Sequence, residues 1–134
     1  MGFSLLIVDD ELNFLVLLDR VLPREGYEVI IARGTDRALH HIEREKFDLA
    51  ILDVQMYPMD GVELLAEIKK RSPSTQVIMV TAYPTDFTRD ECMKLGAAGY
   101  LTKPLELSEL KAVLRHLAGA RELMDRPIGG HEKS

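Results

Sequence analysis

Five side chains in this sequence are of types that could do chemistry together: Asp9, Asp10, Asp53, Thr81 and Lys103. Each stands at the end of a short apolar run. Leu5-Leu6-Ile7-Val8 leads to Asp9-Asp10-Glu11, Leu49-Ala50-Ile51-Leu52 to Asp53, Gln76 to Val80 to Thr81-Ala82, and Tyr100-Leu101-Thr102 to Lys103-Pro104. If those ends meet, three carboxylates gather beside a hydroxyl and an amine. Clustered carboxylates repel, and at least one stays protonated unless a counter-ion joins them. Oxygen-only ligands point to a hard divalent cation, Mg²⁺, and no Cys or His stands in the pattern to suggest zinc. The chemistry that suits such a set is phosphoryl transfer. An Asp carboxylate can act as nucleophile, the metal screens the charge between it and the incoming group, and Lys and Thr serve the phosphoryl oxygens. Taken singly, each residue also has a structural reading. Asp9-Asp10 can cap a helix, Asp53 can begin a turn, Thr81 can close a strand, Lys103 can be a solvated charge and Tyr100 a core aromatic. Their joint placement at strand ends favours the chemical reading.

The elements needed to position them are legible. Residues 4–8 read as a first buried strand, followed by a helix with Asp10 as N-cap. Phe14, Leu17, Leu18, Val21 and Leu22 form its apolar stripe, and Gly26 stops it after Pro23. A second strand runs from Glu28 to Ala32, and Gly34-Thr35 opens a helix with Ala38, Leu39 and Ile42. The run to Asp53 is apolar at four consecutive positions, as in a strand buried on both faces. Gly61 opens a third helix with Leu64, Leu65 and Ile68 inward, and Ser72-Pro73-Ser74 ends it. Residues 85–95 form a weakly patterned helix with Phe87, Cys92 and Leu95 as its apolar positions. Gly96-Ala97-Ala98-Gly99 turns into a short fifth strand. Ser108 caps a last helix from Glu109, with Leu110, Val113, Leu114 and Leu117 inward. Five β–α units predict an α/β fold with a parallel sheet and helices on both faces. In such sheets ligands bind outside the strands' carboxyl ends.

The 134 residues are enough for one domain. Net charge is −5, which argues against a nucleic-acid-binding surface spread over the chain. No apolar stretch approaches the length of a membrane span. The N-terminus lacks the flanks of a signal peptide, and a single cysteine, Cys92, excludes an internal disulfide, so a cytoplasmic location is expected.

The sequence resembles the receiver domain of two-component response regulators over about residues 3–118. The resemblance rests on Ile7-Val8-Asp9-Asp10-Glu11, Leu52-Asp53-Val54-Gln55-Met56, Met59-Asp60-Gly61, Val80-Thr81-Ala82-Tyr83 and Gly99-Tyr100-Leu101-Thr102-Lys103-Pro104, all in order. It implies a flavodoxin-like, doubly wound five-stranded sheet of order 2-1-3-4-5. It further implies that Asp53 accepts a phosphoryl group from a phosphohistidine on a sensor histidine kinase or phosphotransfer protein. Asp10, Asp53 and the main-chain carbonyl of Gln55 would hold Mg²⁺, and Asp9 would act through a metal-bound water. Thr81 and Lys103 would bind phosphoryl oxygens, and the Lys103–Pro104 bond would be cis. Thr81 and Tyr100 would form the switch pair. The change would reach the surface of the fourth helix, fifth strand and fifth helix, which serves a homodimer, an output domain or a protein partner.

The domain so implied covers 1–118, with 119–134 as helix end and flexible tail or linker. It is a signalling domain rather than an enzyme, although it would slowly hydrolyse its own phosphate. Two features depart from the family pattern. Proline comes one place late in Met56-Tyr57-Pro58, which could leave Tyr57 partly covering the site, and Leu105 follows Lys103-Pro104 where Phe is frequent. Other functions fit less well. A haloacid-dehalogenase-type phosphatase needs a second Asp where Gln55 stands. A flavodoxin's phosphate would be repelled by Asp9-Asp10-Glu11, and the first loop lacks the glycines of a nucleotide-binding enzyme. The alternative carried forward is a stand-alone receiver-like interaction module without phosphoryl turnover.

Overall fold

A computed structural model describes residues 2–125. Its elements alternate strictly: β1 (Phe3–Asp9), α1 (Leu12–Val21) with a 3₁₀ turn (Leu22–Glu25), β2 (Tyr27–Arg33), α2 (Thr35–Arg44), β3 (Leu49–Asp53), α3 (Gly61–Arg71), β4 (Gln76–Thr81), α4 (Asp86–Lys94), β5 (Gly99–Thr102) and α5 (Leu107–Asp125). The five strands are all parallel, in the order β2-β1-β3-β4-β5. This is the expected doubly wound, flavodoxin-like sheet.

Residues through Lys103 form one compact unit, and the chain from Pro104 forms a second. In the first, strand alternation divides the core. Leu6, Val8, Ala50, Leu52, Val77 and Met79 join Ala38 and Ile42 of α2, Leu64, Leu65 and Ile68 of α3 and Cys92 of α4 in one buried cluster. Their neighbours Leu5, Ile7, Leu49, Ile51, Ile78 and Val80 are equally buried and point to the other face. There α1 supplies Leu15 and Leu18. β3 is buried at all five positions, as its unbroken apolar run requires.

Some local expectations need correction. The N-cap of α1 is Glu11, and its side chain makes no capping bond. Asp9, not Asp10, meets an N–H there: its Oδ1 accepts the Glu11 N–H at 2.8 Å. Leu18 and, in the 3₁₀ turn, Leu22 are buried as expected, but Leu15 is buried where Leu17 was expected, and Leu17 is exposed. With Leu12, Phe14 and Val16 also apolar, α1 is apolar nearly all round, so periodicity alone leaves its phase open. In α4 only Cys92 is buried, and Phe87 is 77% exposed. The 3₁₀ turn ends as expected at Gly26, whose φ of 96° suits glycine.

The second unit holds α5. Leu110 N–H bonds to Glu106 O at 3.0 Å, so the helical ladder starts earlier than expected and Ser108 lies inside it rather than capping it. α5 also runs beyond residue 119 to Asp125; the tail expected over 126–134 lies outside the described residues.

Candidate functional site

The register of the sheet builds the site. Val8 pairs with Leu52, so the next residues, Asp9 and Asp53, leave adjacent strands side by side. Thr81 pairs with Thr102, and the next residue, Lys103, donates its N–H to Thr81 O at 2.8 Å. All four residues therefore stand on the carboxyl edge of the sheet, as open α/β sheets place their ligand sites.

Strand parity then separates them. Asp9 follows Leu5 and Ile7, Asp53 follows Leu49 and Ile51, and Lys103 follows Leu101, so these three side chains lean to the α1 face. They meet. Lys103 Nζ donates to Asp9 Oδ2 at 2.8 Å and lies 3.7 Å from Asp53 Oδ2 and 3.7 Å from Glu11 Oε1. The ring of Phe14, on α1, lies 4.6 Å below the same ammonium. Asp9 is 1% exposed and Asp53 7%. Burial pushes the Asp53 carboxyl up from 3.8 to about 6; the charge of Asp9 adds to this, Lys103 and the Gln55 N–H oppose it, and Asp10 contributes least. Burial alone would push the Lys103 ammonium down, but its hydrogen bond to Asp9 and the charges of Asp9, Asp53 and Glu11 outweigh it and the net shift is upward. One cation thus serves two buried carboxylates and leaves negative charge in excess.

Asp10 has the opposite parity, and its carboxylate is turned to the β2–α2 connection. Its Oδ1 lies 3.7 Å from where a Cβ on Gly34 would stand. Among the described residues, no three acidic or imidazole side chains converge closely enough to hold a metal as they stand. The donor chemistry nevertheless suits a hard cation: the side chains offered are carboxylates, and Asp9 and Asp53 have only the Lys103 ammonium between them.

Thr81 shares its parity with Met79 and lies on the other face. It is fully buried. Its hydroxyl donates to Gln55 Oε1 at 2.8 Å and accepts the Tyr83 N–H at 3.0 Å. Tyr100 pairs with Met79, which makes it the diagonal neighbour of Thr81 on that face. Its hydroxyl is buried and has no hydrogen-bond partner among the described residues. It lines an open cavity of about 400 Å³ with Pro84, Thr85, Asp86, Arg89 and Thr102. Gln55 links the two halves, because its own N–H donates to Asp53 Oδ1 at 3.3 Å.

The loop after Asp53 is held from below. Gly61 N–H donates to Val54 O at 2.8 Å, and a Cβ on Gly61 would fall on the Asp53 carbonyl. Asp60 caps α3: it accepts the Glu63 N–H at 2.9 Å while the Glu63 carboxylate accepts the Asp60 N–H at 3.0 Å. Tyr57 stands 81% exposed, so it buries little of the site, contrary to expectation. The cis bond is also elsewhere. It is Tyr57–Pro58, and Lys103–Pro104 is not cis. Lys103 needs no such turn, because the β4–β5 ladder already aims it.

Three contributions escaped the sequence reading: the ring of Phe14, the side chain of Gln55 and the close approach of Gly61. Asp60-Gly61 ahead of an apolar helix was a visible signal for the last. The other two had none, since neither residue is near its partner in sequence.

A buried carboxyl, a lysine and a hydroxyl at the carboxyl edge of a doubly wound parallel sheet define a class: a flavodoxin-like domain with a polar site at its sheet edge. The chain belongs to the response regulator receiver domain family, whose profile its residues 5–115 match. It is a signalling domain. It is similar to the transcriptional regulatory protein ZraR of Klebsiella oxytoca, with 36% identity over 125 residues, 93% of this chain and 28% of that protein. It is also similar to sporulation initiation phosphotransferase F of Bacillus subtilis, with 35% identity over 118 residues, 87% of this chain and 95% of that protein. A solved structure of the response regulator protein TrrA from Thermotoga maritima, in complex with Mg²⁺–BeF, superposes with a TM-score of 0.77 at 34% identity over 87% of this chain and 99% of that one. The chain thus spans little more than a quarter of the ZraR relative. Among the described residues no helix is long and apolar enough to cross a membrane.

Proposed function

We propose that this chain is the phosphorylation-activated switch of a cytoplasmic two-component relay, with Asp53 as phosphoacceptor and a sensor histidine kinase or phosphotransfer protein as donor. The observation that carries this reading is the single Lys103 ammonium set 2.8 Å from Asp9 and 3.7 Å from Asp53 at the strand tips. A carboxylate oxygen of Asp53 attacks phosphorus, the bond to the donor's imidazole nitrogen breaks, and that nitrogen keeps the electron pair. Lys103 then shifts from Asp9 toward a phosphoryl oxygen. Thr81 turns its hydroxyl to another, and Tyr100, its diagonal neighbour, follows into the space vacated, which alters the surface around α4 and β5. Mg²⁺, when bound, would screen the charge between the carboxylate and the incoming phosphoryl group. Asp10, Asp53 and the Gln55 carbonyl would hold it, with Asp9 acting through a water. The altered surface serves an output domain, a partner protein or a second copy. The ZraR relative, a longer transcriptional regulator, supports the first, and phosphotransferase F, which this chain matches over 95% of its length, supports the second. Residues 1–118 form the receiver in this reading.

The test is intact mass spectrometry after incubation with acetyl phosphate and Mg²⁺. One added phosphoryl group is expected, absent in Asp53→Asn and absent with chelator. Wild-type protein that gains no mass with metal present would sink the reading and leave the interaction module.

A further inference from the structure

We propose that the Gln55 side chain is a resting-state latch: it holds the one proton of the Thr81 hydroxyl, and must release it before Thr81 can serve a phosphoryl group on Asp53. The inference rests on Asp53 being the phosphoacceptor and assigns a positioning role to a side chain whose main chain alone had been given one. A threonine hydroxyl donates one hydrogen bond. Here that bond goes to Gln55 Oε1 at 2.8 Å, while the Tyr83 N–H, at 3.0 Å, occupies its acceptor side. Thr81 has no exposed surface while Gln55 stands against it, so in the resting protein Gln55 is the acceptor of its proton. Gln55 is exposed, so its amide oxygen can return to solvent without loss once released.

The asymmetry sets the direction. A buried hydroxyl without an acceptor is costly, and a solvated amide is not. In the resting protein Gln55 therefore stabilises Thr81 where it stands. In the phosphorylated protein the phosphoryl oxygen takes over as acceptor, and the earlier bond counts against the change. The geometry also explains why one residue can do this. Asp9 and Asp53 lie on one face of the sheet and Thr81 on the other by parity. Gln55, just past the end of β3, is bonded to both faces, through its N–H to Asp53 and through its side chain to Thr81.

The experiment is a calorimetric titration with beryllofluoride in the presence of Mg²⁺, on the full chain, for wild type, Gln55→Met, Thr81→Ala and the double variant. Methionine keeps the length of glutamine and offers only a weak sulfur acceptor in place of the amide oxygen. Gln55→Met is expected to bind the probe about three- to tenfold more tightly than wild type. In the Thr81→Ala background the same substitution is expected to change nothing, because the hydroxyl it frees is gone. Gln55→Leu is the second variant and should repeat the pattern. Unchanged or weaker binding in Gln55→Met, or equal tightening with and without Thr81, overturns the latch. A wild type that binds no beryllofluoride and gains no mass from acetyl phosphate removes the phosphoacceptor reading as well. Binding without the Thr81-dependent difference removes the latch alone.

Discussion

Gly61 lies against the carbonyl of Asp53 so closely that a Cβ at position 61 would occupy the same space, and Gly61 N–H bonds to Val54 O at 2.8 Å. The first residue of α3 thus rests on the backbone that carries the candidate nucleophile. Gly61→Ala must displace either the helix or Asp53. It is expected to cost about 1–3 kcal/mol of stability and to slow phosphorylation by acetyl phosphate about ten- to a hundredfold. Gly26→Ala is the control. Its Cβ would meet nothing within 4 Å, and only its φ of 96° resists, so about 1 kcal/mol is expected with no change in phosphorylation rate. Denaturant melts and the mass assay measure both.

Asp53 makes the metal-free protein pH-sensitive. Burial raises its carboxyl from 3.8 to about 6, so the fold favours the neutral form. Its contribution to stability is full below pH 3.8 and is lost as pH rises through 6. Asp53→Asn should therefore stabilise the protein at pH 7 by up to about 3 kcal/mol, and by little at pH 4. Melts with chelator from pH 4 to 8 give the curve. An Asp53→Asn variant that is less stable than wild type at pH 7 would contradict it. Mg²⁺ binding should likewise strengthen as pH rises from 5 to 7, because the metal competes with the proton.

Lys103 neutralises carboxylates that have little access to water. Lys103→Met leaves Asp9 buried beside Asp53 with no cation, and is expected to cost about 3 kcal/mol at pH 7 in metal-free protein. It should also move the Asp53 titration further up, because Lys103 holds it down. Carboxyl-carbon NMR titration of wild type and variant reads that shift directly. A titration that moves downward would refute the arrangement.

Tyr100 buries a hydroxyl without a partner among the described residues. Tyr100→Phe removes a desolvated polar group and keeps the ring, so the unphosphorylated protein should gain about 1 kcal/mol or stay neutral. Loss of more than that on thermal melting would show that the hydroxyl has an unseen bond.

Where the sequence carried a strong local signal, it was sufficient. The unbroken apolar run Leu49–Leu52, with turn residues after it, reads as a strand buried on both faces, and β3 is that. Asp9, Asp53, Thr81 and Lys103 stand at the ends of four short strands, and parallel strands carry four ends to one edge. Where the signal was ambiguous it misled. α1 is apolar on most sides: Leu18 and the following Leu22 are buried as expected, but Leu15 takes the buried place expected for Leu17, which only packing decided. The cis bond was expected at Lys103–Pro104 and lies at Tyr57–Pro58, since either X-Pro pair accepts the isomer locally and tertiary context selects.

Residue types and their order specified the alternating fold, the edge and the chemical groups on it, because hydrophobic periodicity and turn residues act over a few neighbours. Pairwise distances across the sheet decided the rest. Register and strand parity placed Asp9, Asp53 and Lys103 on one face with Phe14, placed Thr81 on the other, and turned Asp10 toward Gly34. Gln55 joined the two faces through its side chain to Thr81 and its N–H to Asp53. Gln55 and Thr81 lie 26 residues apart in sequence, Asp9 and Lys103 lie 94, and only a packed sheet brings such partners within hydrogen-bond reach.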